Sequence, residues 1–134
     1  MLIIHMNYWA ILVAAVVNML IGAVWYMPMV FAKAWMKVAG LKKSDLKAGG
    51  YQYCVQFFAT LLTVYVLSHV LTLVGAMDWM SGALGGFWAW LGFIATTSIM
   101  PVLWEKKSFK QYLINNGEIL LMLLVSGAII GAWR

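Results

Sequence analysis

Twenty consecutive residues near the start of the chain, Tyr8 to Met27, carry no formal charge and are almost all apolar. At about 1.5 Å of rise per residue, a helix of this length covers the roughly 30 Å hydrocarbon core of a bilayer. Trp9 lies at one end of the run and Trp25 with Tyr26 at the other, where aromatic rings favour the headgroup region. Pro28 follows and lacks the backbone donor that would continue a helix. The run therefore predicts a membrane-spanning helix that ends near Pro28.

The composition extends this interpretation to the whole chain, because 65% of its 134 residues are hydrophobic and 10% are charged. Soluble domains average about 45 to 50% apolar and about 25% charged residues. We predict one all-α integral membrane domain over residues 1–134, a bundle of four transmembrane helices at about residues 8–27, 51–73, 79–103 and 111–133. The first span lacks the basic start and the cleavage site of a removable signal peptide, so we expect it to remain as an anchor.

A short segment at residues 29–39 separates the first span from the longest polar stretch of the chain. Lys33 and Lys37 lie four residues apart in it, on one side of a helix, while Trp35 lies on another face. This arrangement is typical of a short helix lying in the membrane interface. Gly40 is its predicted stop signal.

The lysines and the arginine predict the orientation of the bundle. Five lysines fall in the loop at residues 33–47 and three follow Trp104, whereas the opposite side has only Arg134. Positive residues concentrate in cytoplasmic loops, so we expect both termini on the non-cytoplasmic side of a bacterial inner membrane. Because the lysines fall only between apolar runs, they indicate topology and not a nucleic-acid partner.

Small residues recur where helices would need to approach closely. The first span carries a stripe of them at every fourth position, and GxxxG spacings occur in the third and fourth spans. The predicted packing residues are Ala10, Ala14, Asn18, Gly22, Gly82, Gly86, Gly127 and Gly131. The predicted interface anchors are Trp9, Trp25, Tyr26, Pro28, Trp35, Trp104 and Trp133. This pattern favours association with a second copy or with another membrane subunit.

Several stretches together resemble a widespread family of small four-span bacterial membrane proteins that is classed only as a domain of unknown function. They are NYWAILVAA from Asn7, GAVWYMP from Gly22, KAWM from Lys33, LINNG from Leu113 and GAIIGAW from Gly127. The resemblance covers nearly the whole chain and implies the fold and the membrane. The family has no established activity, so no catalytic residue is carried over. Where this chain has Glu118, the family commonly has an aromatic residue.

Glu118 is the strongest candidate for chemistry, because it is a carboxylate within the fourth span. A charged side chain at such depth costs a few kcal/mol and is by default functional. A polar pocket is expected from Glu118 together with Asn115, Gln56, Thr60 and Thr97. Alternatively, Glu118 is neutral or reaches the interface, and the hydroxyl groups only join helices.

The outer side carries potential metal ligands in His5, Met6, His69, Met77, Asp78 and Met80. Their spacing contains no HxxxH, CxxC or clustered Met motif, so we predict neither a metal site nor a cofactor. The single Cys54 permits no disulfide within the chain. No phosphate loop, nucleophile elbow or paired carboxylates are present in the sequence, and we do not expect an enzyme.

Two classes of function remain open from the sequence. The first is a non-catalytic helix-packing module or accessory subunit that self-associates in the lipid bilayer. The second is a small oligomeric transporter or channel in which Glu118 binds a proton or a cation.

Overall fold

A computed structural model describes residues 6–27, 29–42 and 50–133. Within these ranges the regular structure is entirely helical, and four helical stretches are long and apolar enough to cross a membrane. The predicted all-helical, four-span architecture is confirmed at this level. Pro28, His5, Arg134 and residues 43–49 of the lysine-rich loop lie outside the described residues.

The first span is α1, Tyr8–Trp25, and it begins where the Asn7 side chain accepts a 3.2 Å hydrogen bond from the backbone N–H of Ala10. Such a cap satisfies one of the backbone donors left free at a helix start. The short α2, Ala32–Ala39, ends at Gly40 with a left-handed φ of 69°, which confirms the predicted stop signal. α3 spans Gly50–Leu73.

The third apolar stretch is not one regular helix. α4, Trp79–Ala89, is followed by a π-helical segment, Trp90–Ala95, and then by turns and a short α5, Met100–Trp104. The regular α-helix already ends at Ala89, so Pro101 does not end it. Pro101 instead lies in the first turn of α5, where its missing backbone donor is of no consequence.

The fourth span is α6, Phe109–Ala132, capped by the Ser108 hydroxyl, which accepts from the backbone N–H of Gln111 at 3.3 Å. α6 is the centre of the bundle, because α4, α1, α3 and α2 all pack on it. α1 and α6 are antiparallel: the Asn7 side chain donates to the carbonyl of Trp133 at one end, at 3.0 Å. At the other end the Trp25 ring donates to the carbonyl of Ile114, at 2.9 Å.

The interior combines small and polar residues with a cluster of larger apolar ones. Ala10, Ala14 and Ala15 are fully buried, whereas many large apolar side chains, such as Phe93 and Trp88, face outward. Small residues at helix contacts and apolar ones facing lipid are typical of membrane bundles, in which burial of apolar groups does not drive association. The larger core side chains are Ile11, Val64, Leu67, Leu71, Leu123 and Ile130.

Candidate functional site

Glycines bring α4 and α6 into backbone contact. A Cβ atom placed on Gly82 would collide with the carbonyl of Gly127, and one on Gly86 with the carbonyl of Leu123. A Cβ on Gly131 would meet the carbonyl of Asp78 in the same way. The glycines of both GxxxG spacings are therefore in contact within one chain, and they hold α4 against α6.

The α1–α6 seam, the contact between these two antiparallel helices, contains a buried polar pair. The hydroxyl of Ser126 donates a 3.0 Å hydrogen bond to the side-chain oxygen of Asn18, and both residues are at most 2% exposed. The amide nitrogen of Asn18 is buried without a hydrogen-bond partner. Asn18 thus lies on the predicted packing face of α1, and its partner is a serine that the sequence pattern did not single out.

Glu118 lies two turns before Ser126 on α6 and is 9% exposed. Its carboxylate faces α1, where Oε1 is 3.3 Å from the position that a Cβ on Gly22 would occupy. The lack of a side chain at Gly22 therefore makes room for this carboxylate. No lysine or arginine forms an ion pair with Glu118 among the residues that the structure describes.

Tyr26, at the C-terminal end of α1, links Glu118 to an amide and to a second aromatic ring. Tyr26 is close enough to interact electrostatically with the carboxylate, and its hydroxyl donates to the side-chain oxygen of Asn115 at 2.7 Å. The ring of Trp35, from α2, packs on that of Tyr26 with a centroid distance of 4.9 Å. The Trp35 ring nitrogen is buried without a hydrogen-bond partner. We call Glu118, Gly22, Tyr26 and Trp35 the Glu118 cluster.

The remaining members of the expected pocket, Gln56, Thr60 and Thr97, make contacts in different parts of the bundle. Gln56 donates to the hydroxyl of Thr60 at 3.3 Å, and that hydroxyl approaches the sulfur of Met19 on α1 at 4.0 Å. Thr97 is exposed, and its hydroxyl donates to the carbonyl of Phe93 on its own helix at 2.5 Å. The structure therefore connects Asn115 to the Glu118 cluster through Tyr26 and leaves Thr97 outside it.

Several residues that the sequence analysis did not select connect α6 to its neighbours. The Trp90 ring donates to the carbonyl of Asn116 at 2.9 Å, and the Tyr112 hydroxyl donates to the carbonyl of Ala95 at 2.6 Å. Both bonds involve the π-helical segment, which supplies the donor Trp90 and the acceptor Ala95. Gly117 faces the ring of Trp25, and a Cβ there would be 3.2 Å from it. The sequence pattern did not single out these contacts, because each one joins residues that are far apart in the chain.

The aromatic residues predicted as interface anchors occupy two kinds of position. Trp9, Trp104 and Trp133 are exposed on the described surface. Trp25 and Tyr26 are half-buried and donate hydrogen bonds to α6, so they also join helices. Pro28 lies outside the described residues.

Among the described residues, the potential metal ligands of the opposite end have separate contacts, and His5 lies outside this part of the chain. The Nδ1–H of His69 donates to the carbonyl of Tyr65 at 3.3 Å, and Met77 and Met80 are exposed. The carboxylate of Asp78 accepts from the backbone N–H of Ser81 at 2.7 Å, which lowers the pKa of Asp78. Among the described residues, no three His, Cys, Asp or Glu side chains could share a metal ion.

Two shallow grooves on the described surface are apolar. One, of about 480 Å³, lies between α1 and α3, and the other, of about 330 Å³, lies between α1 and α6 beside Phe31. Neither is lined by Glu118. Their chemistry is that of a lipid-facing surface.

Residues 9–131 match the family described as "Protein of unknown function (DUF1761)". The chain belongs to this family. No curated protein and no solved structure matches it. Membership in DUF1761 confirms the resemblance seen in the sequence and, like the four apolar helices, agrees with a multi-pass membrane protein. For a DUF1761 protein, function has to be argued from the packing and chemistry of the chain itself.

Proposed function

We propose that this protein is a non-catalytic helix-packing module of the membrane that associates with a second copy of itself. The observation that carries the proposal is the poor coverage of the third span, Trp79–Trp104. Only 6% of the residues in its most apolar 18-residue stretch are buried within the chain, whereas the same share is 39% for α6. A span at the edge of a bundle has most of its surface free for another helix.

The free side of the third span has the right shape for a helix contact. Gly92 has no atom within 4 Å of its Cβ position, and it lies between the exposed side chains of Trp88 and Phe93. A glycine flanked by large side chains offers a shallow notch that a neighbouring helix can enter. The GxxxG glycines are used within the chain, so the contact with a second copy is assigned to Gly92 and its neighbours.

Cysteine cross-linking in membranes tests this assignment. In a Cys54→Ser background, Gly92→Cys should form disulfide-linked dimers on oxidation, because the two notches would face each other in a symmetric pair. Val24→Cys, on the exposed face of α1, is the matched control at similar depth and should remain monomeric. Equal cross-linking of the two variants, or a monomeric mass in lipid nanodiscs, would contradict self-association through this face.

In this proposal the protein lies in a bacterial inner membrane, with both chain termini on the non-cytoplasmic side. The support is the distribution of lysines, which concentrates in the loop at residues 33–47 and after Trp104. α2 has the composition of an interfacial helix, since Lys33 and Lys37 are exposed while Ala32 is buried. In this arrangement Lys33 and Lys37 extend toward cytoplasmic headgroups.

A second candidate is a small oligomeric transporter or channel that uses Glu118. It is favoured by one observation: a carboxylate buried in a membrane span without an ion-pair partner among the described residues. Reconstituted vesicles distinguish the two candidates. Glu118→Gln keeps the shape of the side chain and should abolish ion flux only if Glu118 takes part in transport.

A second substitution, Glu118→Leu, distinguishes a carboxylate that binds a ligand from one that has no ligand. If the carboxylate has no ligand, Glu118→Leu should raise the melting temperature, because it removes a buried polar group without a partner. If the carboxylate binds a ligand, Glu118→Leu should abolish the increase in melting temperature that this ligand produces. A more stable Leu variant combined with unchanged flux in the Gln variant would leave the helix-packing module as the function.

A further inference from the structure

We propose that the groove between α1 and α6, together with Lys33 and Lys37 beside it, holds one anionic phospholipid. An acyl chain occupies the groove, and the two ammonium groups bind the phosphate of the headgroup. Neither Gly92 nor Glu118 lines this groove, so the inference depends neither on self-association nor on transport.

The lining of this groove, about 330 Å³ in volume, consists of hydrophobic residues. Val17, Leu20 and Val24 line it from α1, Leu121 lines it from α6, and Val30 and Phe31 line it from the turn that follows α1. Trp25 also lines it, but its ring nitrogen already donates to the carbonyl of Ile114. Such a surface fits a hydrocarbon chain and leaves a polar ligand without hydrogen bonds.

The groove runs from the middle of the membrane to its surface. Val17 lies at the middle of α1, and Val24 is the last residue but one of that helix. Seven residues of helix separate them, which is about 10 Å along the axis. Because the 18 residues of α1 are about as long as the hydrocarbon core is thick, the end of α1 lies near the headgroups. An acyl chain in the groove would therefore place its headgroup beside Phe31.

Two lysines lie at this headgroup end of the groove. Lys33 comes two residues after Phe31, and Lys37 lies one turn further along the same exposed face of α2. Residues 29–42 contain no Asp or Glu, so no acid of this segment competes for the two lysines. Lysine stems can follow an apolar surface while the ammonium group stays in the headgroup region. The pair can thus reach a phosphate at the level where a lipid carries it.

Contacts between α2 and the end of α1 fix these lysines relative to the groove. The backbone N–H of Phe31 donates to the carbonyl of Trp25 at 3.2 Å, and that of Ala32 donates to the carbonyl of Met27 at 3.1 Å. The rings of Phe31 and Trp25 pack with a centroid distance of 4.5 Å, and Ala32 is buried. The apolar part and the charged part of the site therefore belong to one packed unit.

The charge at this end of the bundle favours an anionic lipid over a zwitterionic one. The connections at residues 33–47 and 105–110 carry eight lysines and two acids, Asp45 and Glu105. A zwitterionic headgroup brings a cation of its own, which these lysines repel, whereas an anionic headgroup adds net negative charge. Basic residues at a membrane surface attract anionic lipids in this way.

Native mass spectrometry of the full chain in detergent micelles, titrated with palmitoyl-oleoyl-phosphatidylglycerol, tests the proposal. The first lipid should bind more tightly than later ones. Combining Lys33→Gln with Lys37→Gln should weaken this first step by roughly thirtyfold, or about fivefold for each lysine. Lys106→Gln with Lys107→Gln is the matched control, because it removes the same charge from the exposed turn before α6. The control should bind the first lipid as the wild type does.

A second pair of variants tests the groove itself. Val24→Trp fills the groove with a large side chain and should remove the tight first binding step. Val16→Trp is its control, because Val16 is also an exposed valine of α1 but does not line the groove. Unchanged melting temperatures show that the variants are folded. Tight binding of the first lipid to a folded Val24→Trp variant would overturn the proposal.

Three further outcomes would also overturn it. Equal weakening by the two lysine pairs would show a diffuse attraction between charges and no defined site. Equally tight binding of palmitoyl-oleoyl-phosphatidylcholine, which has the same chains without net charge, would show a site for acyl chains only. Displacement of the lipid by soluble glycerol phosphate at constant ionic strength would assign the lysines to a free phosphate anion.

Discussion

Ser126 and Asn18 join α6 to α1 through a hydrogen bond of 3.0 Å between two side chains that are almost completely buried. The bond lies near the middle of α1 and in the last third of α6, and both side chains are buried from water. Because polar side chains in a bilayer seek each other, this pair fixes the register between the two antiparallel helices.

Ser126→Ala should lower the free energy of unfolding by about 0.6 to 2 kcal/mol, the range measured for hydrogen bonds between membrane helices. In an Asn18→Leu background the same substitution should have a clearly smaller effect, because the acceptor is already gone. Reversible unfolding in detergent micelles measures both. Identical effects of Ser126→Ala in the two backgrounds would mean that the pair contributes no coupling energy.

Gly127→Ala should destabilise the protein by about 1 to 3 kcal/mol, because its Cβ would enter the backbone of Gly82. Gly50→Ala is the control, at the start of α3, where the Cβ position is also open. Since alanine favours helix by up to about 1 kcal/mol over glycine, the control should be neutral or slightly stabilising. A thermal melt of both variants makes the comparison, and equal tolerance would remove the case for close backbone packing.

Lys37 and Met77 should lie on opposite sides of the membrane. Both are exposed, so cysteines at these positions in a Cys54→Ser background can report sidedness. In intact cells an impermeant thiol reagent should label Met77→Cys and should label Lys37→Cys only after the cells are opened. The reverse pattern would invert the proposed orientation.

The contribution of Asp78, the N-cap of α4, to the stability of that helix should depend on pH. The backbone N–H of Ser81 donates to its carboxylate and lowers the pKa of Asp78 in the folded state. Its contribution is therefore fully present above the unfolded-state value of about 3.9 and is lost as the pH falls through the lower folded-state value.

Asp78→Asn is the matched variant, since asparagine also caps helices but does not titrate. The difference in melting temperature between wild type and Asp78→Asn should shrink as the solution is acidified. A difference that stays constant from neutral to strongly acid pH would show that the carboxylate has no preference for its charged form in the folded protein.

The sequence was sufficient to predict the four apolar spans. A helix that crosses a bilayer needs about 20 mostly apolar residues, and such runs are visible in the sequence. It also indicated which face of α1 carries small residues, since a 3.6-residue period fixes the positions on a face. The pattern does not say which helix lies opposite that face. Ser126, the partner of Asn18, is defined only by the relative position of α1 and α6 in the folded bundle.

The sequence predicted only part of the candidate site, because a pattern along one helix does not say which groups of other helices lie opposite. Glu118 and Asn115 could be selected because polar groups are rare in the fourth span, and both lie by Tyr26. Thr97 was selected by expected depth, but depth does not determine direction, and its hydroxyl bonds to its own helix. The sequence did not predict the π-helical segment, and its contact with α6 through the Tyr112 hydroxyl and the carbonyl of Ala95 joins residues that are 17 positions apart.

The contact between Asn7 and the carbonyl of Trp133 brings the first and the fourth span side by side at one end of the bundle. The helix contacts therefore do not require the chain to be cut between these two spans. A peptide linker joining the region of Asn7 to that of Trp133, with new ends opened at the turn around Gly75, would give a circular permutant with every helix contact retained. The packing of the bundle would then be independent of which span the cell inserts first.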